Sequence, residues 1–360
     1  MDYTKLSLQE KIGQKFIFGI NSDNIDVIVN LIEKYYIGGV ILYKDNYNSY
    51  DEMLSVIKRL KNANRMNKIP LFIAIDQEGG RVNRMPKEFS NLKNIYDMSK
   101  KDKSLIERNA MITGKMLRET GINMNFAPVM DIYENGQGKV LYNRCFYGDV
   151  DDVSELGMKY IKGMEDNLVI PVMKHFPGHG VTKIDSHFLI PYVYDYRRVL
   201  DKHIKPFEII LENKDVNVDA LMVNHMVIRK LTDGLPASIS RKFIKEYLRD
   251  KNNYVGLVIT DEINMLSRSL IYRFKYIEKA ISAGSDIILV KIKNDGEKII
   301  NKCMKIISEN REYLKMLDES VERIIRVKEK YNIWDDVNYS GSNIDEINKE
   351  IDAINKICNR

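Results

Sequence analysis

The sequence predicts an α/β fold, a (β/α)₈ barrel of the TIM type in a single domain, and three observations point there. Eight short apolar runs recur along the 360 residues, and within each the apolar residues are consecutive, not alternating. That is the pattern of parallel strands covered on both faces. Amphipathic stretches of helical spacing separate the runs, so strand–helix units repeat over roughly 330 residues. Gly79-Gly80 lacks the GxGxxG spacing of a dinucleotide fold, which leaves a doubly wound open sheet as the weaker alternative.

In chain order, Lys15-Phe16-Ile17-Phe18-Gly19-Ile20 is the first strand, followed by a helix near 23–35. Gly38-Gly39-Val40-Ile41-Leu42-Tyr43 is the second, with a helix near 49–65. Pro70–Asp76 is the third, and its helix comes late, near 104–120. Asn123–Val129 is the fourth, and a helix near 152–167 leads to the fifth at 169–174. Ala220–Asn224, Gly256–Thr260 and Asp286–Val290 complete the set. The barrel is expected over 1–333, with a polar tail at 334–360 that turns at Ser340-Gly341-Ser342 and forms a helix near 344–357.

Composition narrows the function classes. With 44% hydrophobic residues the chain can bury a large core. The net charge of +5 arises from 56 basic against 51 acidic residues in short clusters, which reads as solvated helix faces and not a nucleic-acid patch. The three cysteines, Cys145, Cys303 and Cys358, are far apart and form no CxxC pair, which suits a reducing compartment. The first ten residues are polar and no apolar run reaches membrane-spanning length, so a cytosolic protein with no membrane partner is expected; a monomer is favoured, although the sequence does not give the oligomeric state.

In a barrel of this kind the chemistry sits at the carboxyl ends of the strands. The third strand ends in Asp76-Gln77-Glu78-Gly79-Gly80-Arg81, and the loop after the fourth holds Asp131 and Asn143-Arg144-Cys145-Phe146. The fifth opens a loop, Lys174-His175-Phe176-Pro177-Gly178-His179-Gly180, that runs on to Asp185-Ser186-His187. Three of the five histidines of the chain lie in it, and its proline and glycines exclude a regular helix. The sixth ends in Asn224-His225 and the seventh in Thr260-Asp261-Glu262.

Plainer roles are open to these residues. Asp261 and Asp76 are compatible with helix N-caps, Arg144 with a surface pair to Asp149, and His225 with a satisfied histidine behind the site. Lys174 is different, because a lysine at the end of an apolar strand is costly to bury unless it meets an anion or an acceptor-rich ligand. Zinc on His175, His179, Asp185 and His187 is the minor reading, since the i, i+4 pair flanks Phe-Pro-Gly and shares no helical face. No metal or other cofactor is expected.

These segments resemble glycoside hydrolase family 3, and within it the single-domain β-N-acetylglucosaminidases of cell-wall recycling. The similarity runs from about Leu8 to Tyr331. It rests on Ile75-Asp76-Gln77-Glu78-Gly79-Gly80-Arg81-Val82, Asn125-Phe126-Ala127-Pro128-Val129 with Asp131, Lys174–Gly180 with Asp185-Ser186-His187, Asp219–His225, and Thr260-Asp261. The Asp185-Ser186-His187 triplet marks this branch. The resemblance implies Asp261 as nucleophile and His187 as acid/base held by Asp185. It implies that Asp76, Arg144, Lys174 and His175 bind the hydroxyls and N-acetyl group of a terminal sugar. Two departures stand out: Tyr147 replaces a glycine, where positive φ would be disfavoured, and Glu262 replaces an aspartate.

A retaining glycosidase ordinarily uses two carboxylates about 5–5.5 Å apart. A histidine titrating near ~6.5 can take the second role at working pH, and Asp185 would orient and stabilise its protonated ring. The expected activity is therefore release of terminal N-acetylglucosamine from a small carbohydrate substrate, a peptidoglycan fragment or chitin oligomer. A neutral imidazole does not repel anions as a carboxylate would, so phosphate as acceptor is one alternative. A non-catalytic carbohydrate-binding barrel is another, and it would need Asp261 or His187 missing. The glycines at 178 and 180 suggest a loop that moves when substrate is absent.

Overall fold

The computed structural model describes residues 2–19, 25–134, 140–182, 184, 189–267, 269–335, 341 and 343–359. Every predicted strand is present, shorter than or offset from its apolar run. They are β1 (Phe16–Gly19), β2 (Gly39–Leu42), β3 (Phe72–Ile75), β4 (Met124–Asn125), β5 (Ile170–Pro171) and β6 (Met173–Phe176). After a short β7 (Tyr192–Val193) come β8 (Ala220–Val223), β9 (Val227–Ile228), β10 (Leu257–Thr260) and β11 (Ile288–Lys291). The fifth run is split at Val172 into β5 and β6. The pair β7–β9 lies outside the predicted set.

All strand pairs are parallel. One sheet runs β11-β1-β2-β3-β4-β5 and another β10-β8-β6. Hydrogen bonds link their edges: Thr260 N–H donates to Ile287 O at 3.0 Å, Asp286 N–H to Val258 O at 2.8 Å, and Lys174 N–H to Pro128 O at 3.0 Å.

The consecutive apolar runs are explained by burial on both faces. Successive side chains of a strand point to opposite sides. Phe16, Phe18, Val40, Leu42, Ile73 and Ile75 pack outward against the helices. Their neighbours Ile17, Ile41, Phe72 and Ala74 join Met124, Ile170, Ala220, Leu257 and Leu289 in an inner cluster. Helix Arg311–Lys330 closes that cluster at the amino ends of the strands, contributing Ile324 and Val327, with Tyr331 and Ile333 just beyond it. Its Lys328 Nζ donates to Gln14 Oε1 (2.8 Å), Gly38 O (3.0 Å) and Pro70 O (2.6 Å). Burial pushes this amine down to about 7. The inner cluster is thus covered by this helix at the amino ends of the strands.

The predicted helices appear at Ile25–Tyr35, Tyr50–Asn64, Leu105–Thr120 and Val150–Glu165. A further short helix, Ile95–Lys101, precedes the third of these. The tail helix spans Ile344–Cys358. It docks through buried Ile347, Ile351 and Ile354, and Arg108 Nη2 pairs with Glu350 Oε1 at 2.6 Å. The tail is thus part of the core packing, a point its polar composition left open. Among the described residues no helix is long and apolar enough to cross a membrane.

Candidate active site

The turn after β3 places two carboxylates on one side. Gln77 N–H donates to Asn125 Oδ1 and Asn125 Nδ2 returns a bond to Gln77 O, which ties the turn to β4. Gly79 and Gly80 take positive φ, +85° and +55°, and Glu78 N–H donates to Val82 O. A residue with a Cβ is strained in that conformation, so the glycine pair is what folds Glu78 inward.

Glu78 is 6% exposed. It accepts a bidentate fork from Arg144, Nε to Oε2 and Nη2 to Oε1, both at 2.8 Å. Lys174 Nζ lies 2.6 Å from the same Oε1 and 2.7 Å from Asp76 Oδ1. Two anions and two cations therefore form a neutral buried quartet. Burial alone would raise the Glu78 carboxyl, but Arg144 and Lys174 overcome it and hold the group far below the usual carboxylate range. Burial would likewise depress the Lys174 amine; Asp76 and Glu78 reverse that and raise it. Arg144 therefore does not pair with Asp149, which instead caps helix Val150–Glu165.

A second group holds the histidines. Asp131, fully buried, accepts from His175 at 2.7 Å and from the His179 backbone N–H at 2.6 Å. Burial opposes its ionisation, yet His175 and the bonds it receives keep the Asp131 carboxyl below its ordinary value. An ionised carboxylate only accepts, so His175 Nδ1 carries the proton and Nε2 is the atom left to meet a ligand. The His175 and His179 rings stand 6.2 Å apart. The irregular loop thus brings the two rings near each other without a helix to place them on one face. Gly178 at φ +111° and a short 3₁₀ turn, His179–Val181, make this possible.

Asp261 follows β10. Its N–H donates to Val223 O at 2.9 Å and its Oδ1 accepts from Glu262 N–H at 2.8 Å. It caps no helix, since the next long helix, Leu270–Ala283, has Ser269 at that position. Behind it, His225 Nε2 lies 2.9 Å from Glu262 O and Nδ1 lies 2.6 Å from Ser238 Oγ. A carbonyl only accepts, so Nε2 carries the proton and Nδ1 receives the serine hydroxyl. His225 is a satisfied ring that steadies the backbone beside Asp261.

Asp76, Glu78, Arg144, Lys174, His175, His179, Asp261 and Glu262 line one cavity of about 240 Å³ at the carboxyl ends of the strands. Tyr43, Met222 and Leu289 supply apolar walls. Asp185 and His187 lie outside the described residues. Among the described residues no group of three or more His, Cys, Asp or Glu is arranged to hold a metal. A larger cavity, about 500 Å³, opens at the amino ends of the strands beside Trp334 and Lys328. Among the described residues its carboxylates are Glu329 and Asp335.

Glu78 and Asp131 are the residues whose work the sequence did not reveal. A signal existed for Glu78: two cations at strand ends need two buried anions, and Asp76 is only one.

The description "Glycosyl hydrolase family 3 N terminal domain" fits residues 7–327. The chain belongs to glycosyl hydrolase family 3. Among family relatives, a Beta-hexosaminidase of Psychromonas ingrahamii is 33% identical over 262 residues, covering 70% of this chain and 75% of that one. Beta-hexosaminidase A of Pseudoalteromonas piscicida is 30% identical over 83% of this chain, which spans about half (54%) of that protein's length. The structure of a glycoside hydrolase family 3 β-N-acetylglucosaminidase from Paenibacillus sp. str. FPU-7 superposes with a TM-score of 0.87 at 30% identity, covering 98% of this chain and 69% of that one. Against the family pattern, Tyr147 causes no backbone strain. The positive φ values nearby fall at Asn143 (+61°) and Gly148 (+132°), and Tyr147 N–H donates to Ser99 Oγ at 2.9 Å.

Proposed function

We propose that the protein is a retaining exo-β-N-acetylglucosaminidase acting on peptidoglycan fragments or chitin oligomers in the cytoplasm. In this reading residues 1–333 form a closed (β/α)₈ barrel carrying the tail 334–360. The observation that carries it is the opening of Asp261 onto the same cavity as Asp76, Arg144, Lys174 and His175. That cavity, about 240 Å³, is smaller than the usual site for a drug-sized ligand and suits one terminal ring. The names of the relatives, beta-hexosaminidase and β-N-acetylglucosaminidase, support the choice of sugar.

Asp261 attacks the anomeric carbon as the glycosidic C–O bond breaks. The His187 imidazolium, held by Asp185, gives its proton to the departing oxygen. The neutral imidazole then takes a proton from water, which displaces Asp261 and releases the sugar. Asp76, backed by Lys174, accepts from ring hydroxyls; His175 Nε2 and the Arg144 guanidinium meet the remaining polar groups.

Hydrolysis of an aryl N-acetyl-β-glucosaminide, run beside the aryl glucoside with and without chelator, tests this. Retention of configuration, preference for the N-acetyl sugar and indifference to chelator are expected. Absence of cleavage overturns the reading, and a sugar 1-phosphate formed in phosphate buffer replaces hydrolysis by phosphorolysis.

A further inference from the structure

Beside Leu141, which lines the cavity, four tyrosines stand edge to face. Ring centroids lie 5.9 Å apart for Tyr142 and Tyr133, 6.1 Å for Tyr133 and Tyr96, and 5.4 Å for Tyr96 and Tyr147. The row starts at the cavity wall. Leu141 lines the cavity, Tyr142 follows it in the chain, and Tyr133 packs against the small cluster of Val129, Leu141 and Cys145. Yet Tyr142 is 51% exposed and Tyr147 43%. The rings brace one another, and the Lys100 amine lies 5.4 Å from the centroid of the Tyr147 ring, so their orientation is set before any ligand arrives, while Tyr142 and Tyr147 still meet solvent.

We propose that this row is the platform for the second pyranose ring of an oligosaccharide whose terminal ring occupies the cavity. The proposal rests on the glycosidase reading and extends it to the leaving portion of the substrate. The cavity takes one ring, so a longer substrate must run out across the mouth, past Leu141. A pyranose offers an apolar C–H face and a rim of hydroxyls. Tyrosine answers with a flat apolar body and a phenol, and it loses little conformational freedom on contact. Because the rings already hold each other, less ordering cost falls on binding. Tyr142 and Tyr147 flank Arg144 on the same loop, so the segment that grips the terminal sugar also carries the platform.

The test compares two substrates, the β-1,4-linked N-acetylglucosamine trisaccharide and N-acetyl-β-glucosaminyl fluoride, which has no second ring to stack. kcat and KM are measured for the wild type, Tyr142→Ala, Tyr147→Ala and the double variant. The double variant is expected to lower the ratio of trisaccharide to fluoride kcat/KM by about 5- to 10-fold, mainly through KM. Turnover of the fluoride also reports that each variant is folded. A ratio equal to that of the wild type overturns the platform and leaves the glycosidase reading standing, as does a wild type that cleaves the fluoride but not the trisaccharide. A wild type that cleaves neither overturns both.

Discussion

Lys174 Nζ and Glu78 Oε1 lie 2.6 Å apart with both side chains almost fully buried. A lone lysine at that depth would lose its proton or unfold the strand end. Here the second carboxylate, and the Arg144 fork on the far side of it, make the charge tolerable and aim Asp76 at the cavity.

Glu78→Gln leaves Arg144 and Lys174 facing one carboxylate in place of two. Breaking a buried pair in this way costs roughly 3–5 kcal/mol. Urea denaturation is expected to report a loss of that order, together with a raised KM as Asp76 and Arg144 lose their placement. A variant with wild-type stability would show that the quartet contributes little.

Asp261→Asn keeps the shape of the side chain and removes the proposed nucleophile. kcat on an aryl N-acetyl-β-glucosaminide is expected to fall by about 10³-fold or more, with thermal stability unchanged. Near-native turnover would remove Asp261 from the mechanism.

His187→Ala separates proton donation from nucleophilic attack. Substrates with poor leaving groups are expected to suffer about 10²-fold or more, and activated aryl glycosides much less. Equal losses on both would count against His187 as the acid.

His203 provides a pH prediction independent of activity. It is fully buried beneath Gly178 and Gly180, and neither ring nitrogen has a hydrogen-bond partner among the described residues. Burial pushes its imidazole down from 6.5 to about 4. Between those values the unfolded chain binds a proton that the folded chain refuses, so stability falls as pH drops from 6.5 toward 4, by at most about 3 kcal/mol. Burial lowers His179 too, with the same sign. Unfolding free energies measured at pH 7, 5.5 and 4.5 are expected to fall in that order. The slope should be shallower in His203→Leu.

The tail helix makes a separate point. Ile351→Ala removes a fully buried side chain from its docking face and is expected to cost about 2–4 kcal/mol. Hydrogen exchange would locate the effect in Ile344–Cys358 and in helix Leu105–Thr120. Loss confined to the tail would mean that the tail unfolds on its own.

What the sequence determined by itself was periodicity and order. The eight apolar runs, the helices between them and the five polar segments at strand ends are local patterns, and local patterns survive without knowledge of what they touch. Asp76, Lys174 and Asp261 stood out because each abuts a strand end, whereas Arg144, in the loop after β4, was singled out by the family resemblance. Tertiary structure decided the partners. Glu78 and Arg144 are 66 positions apart, and Asp131 meets His175 across 44. No propensity or spacing reveals a contact closed over such a distance. The same holds for the proton positions on His175 and His225, set by a carboxylate and a carbonyl from other segments. It holds as well for the four tyrosines, which fall at 96, 133, 142 and 147 with no period. They become a row because the loop after β4 lies against helix Ile95–Lys101.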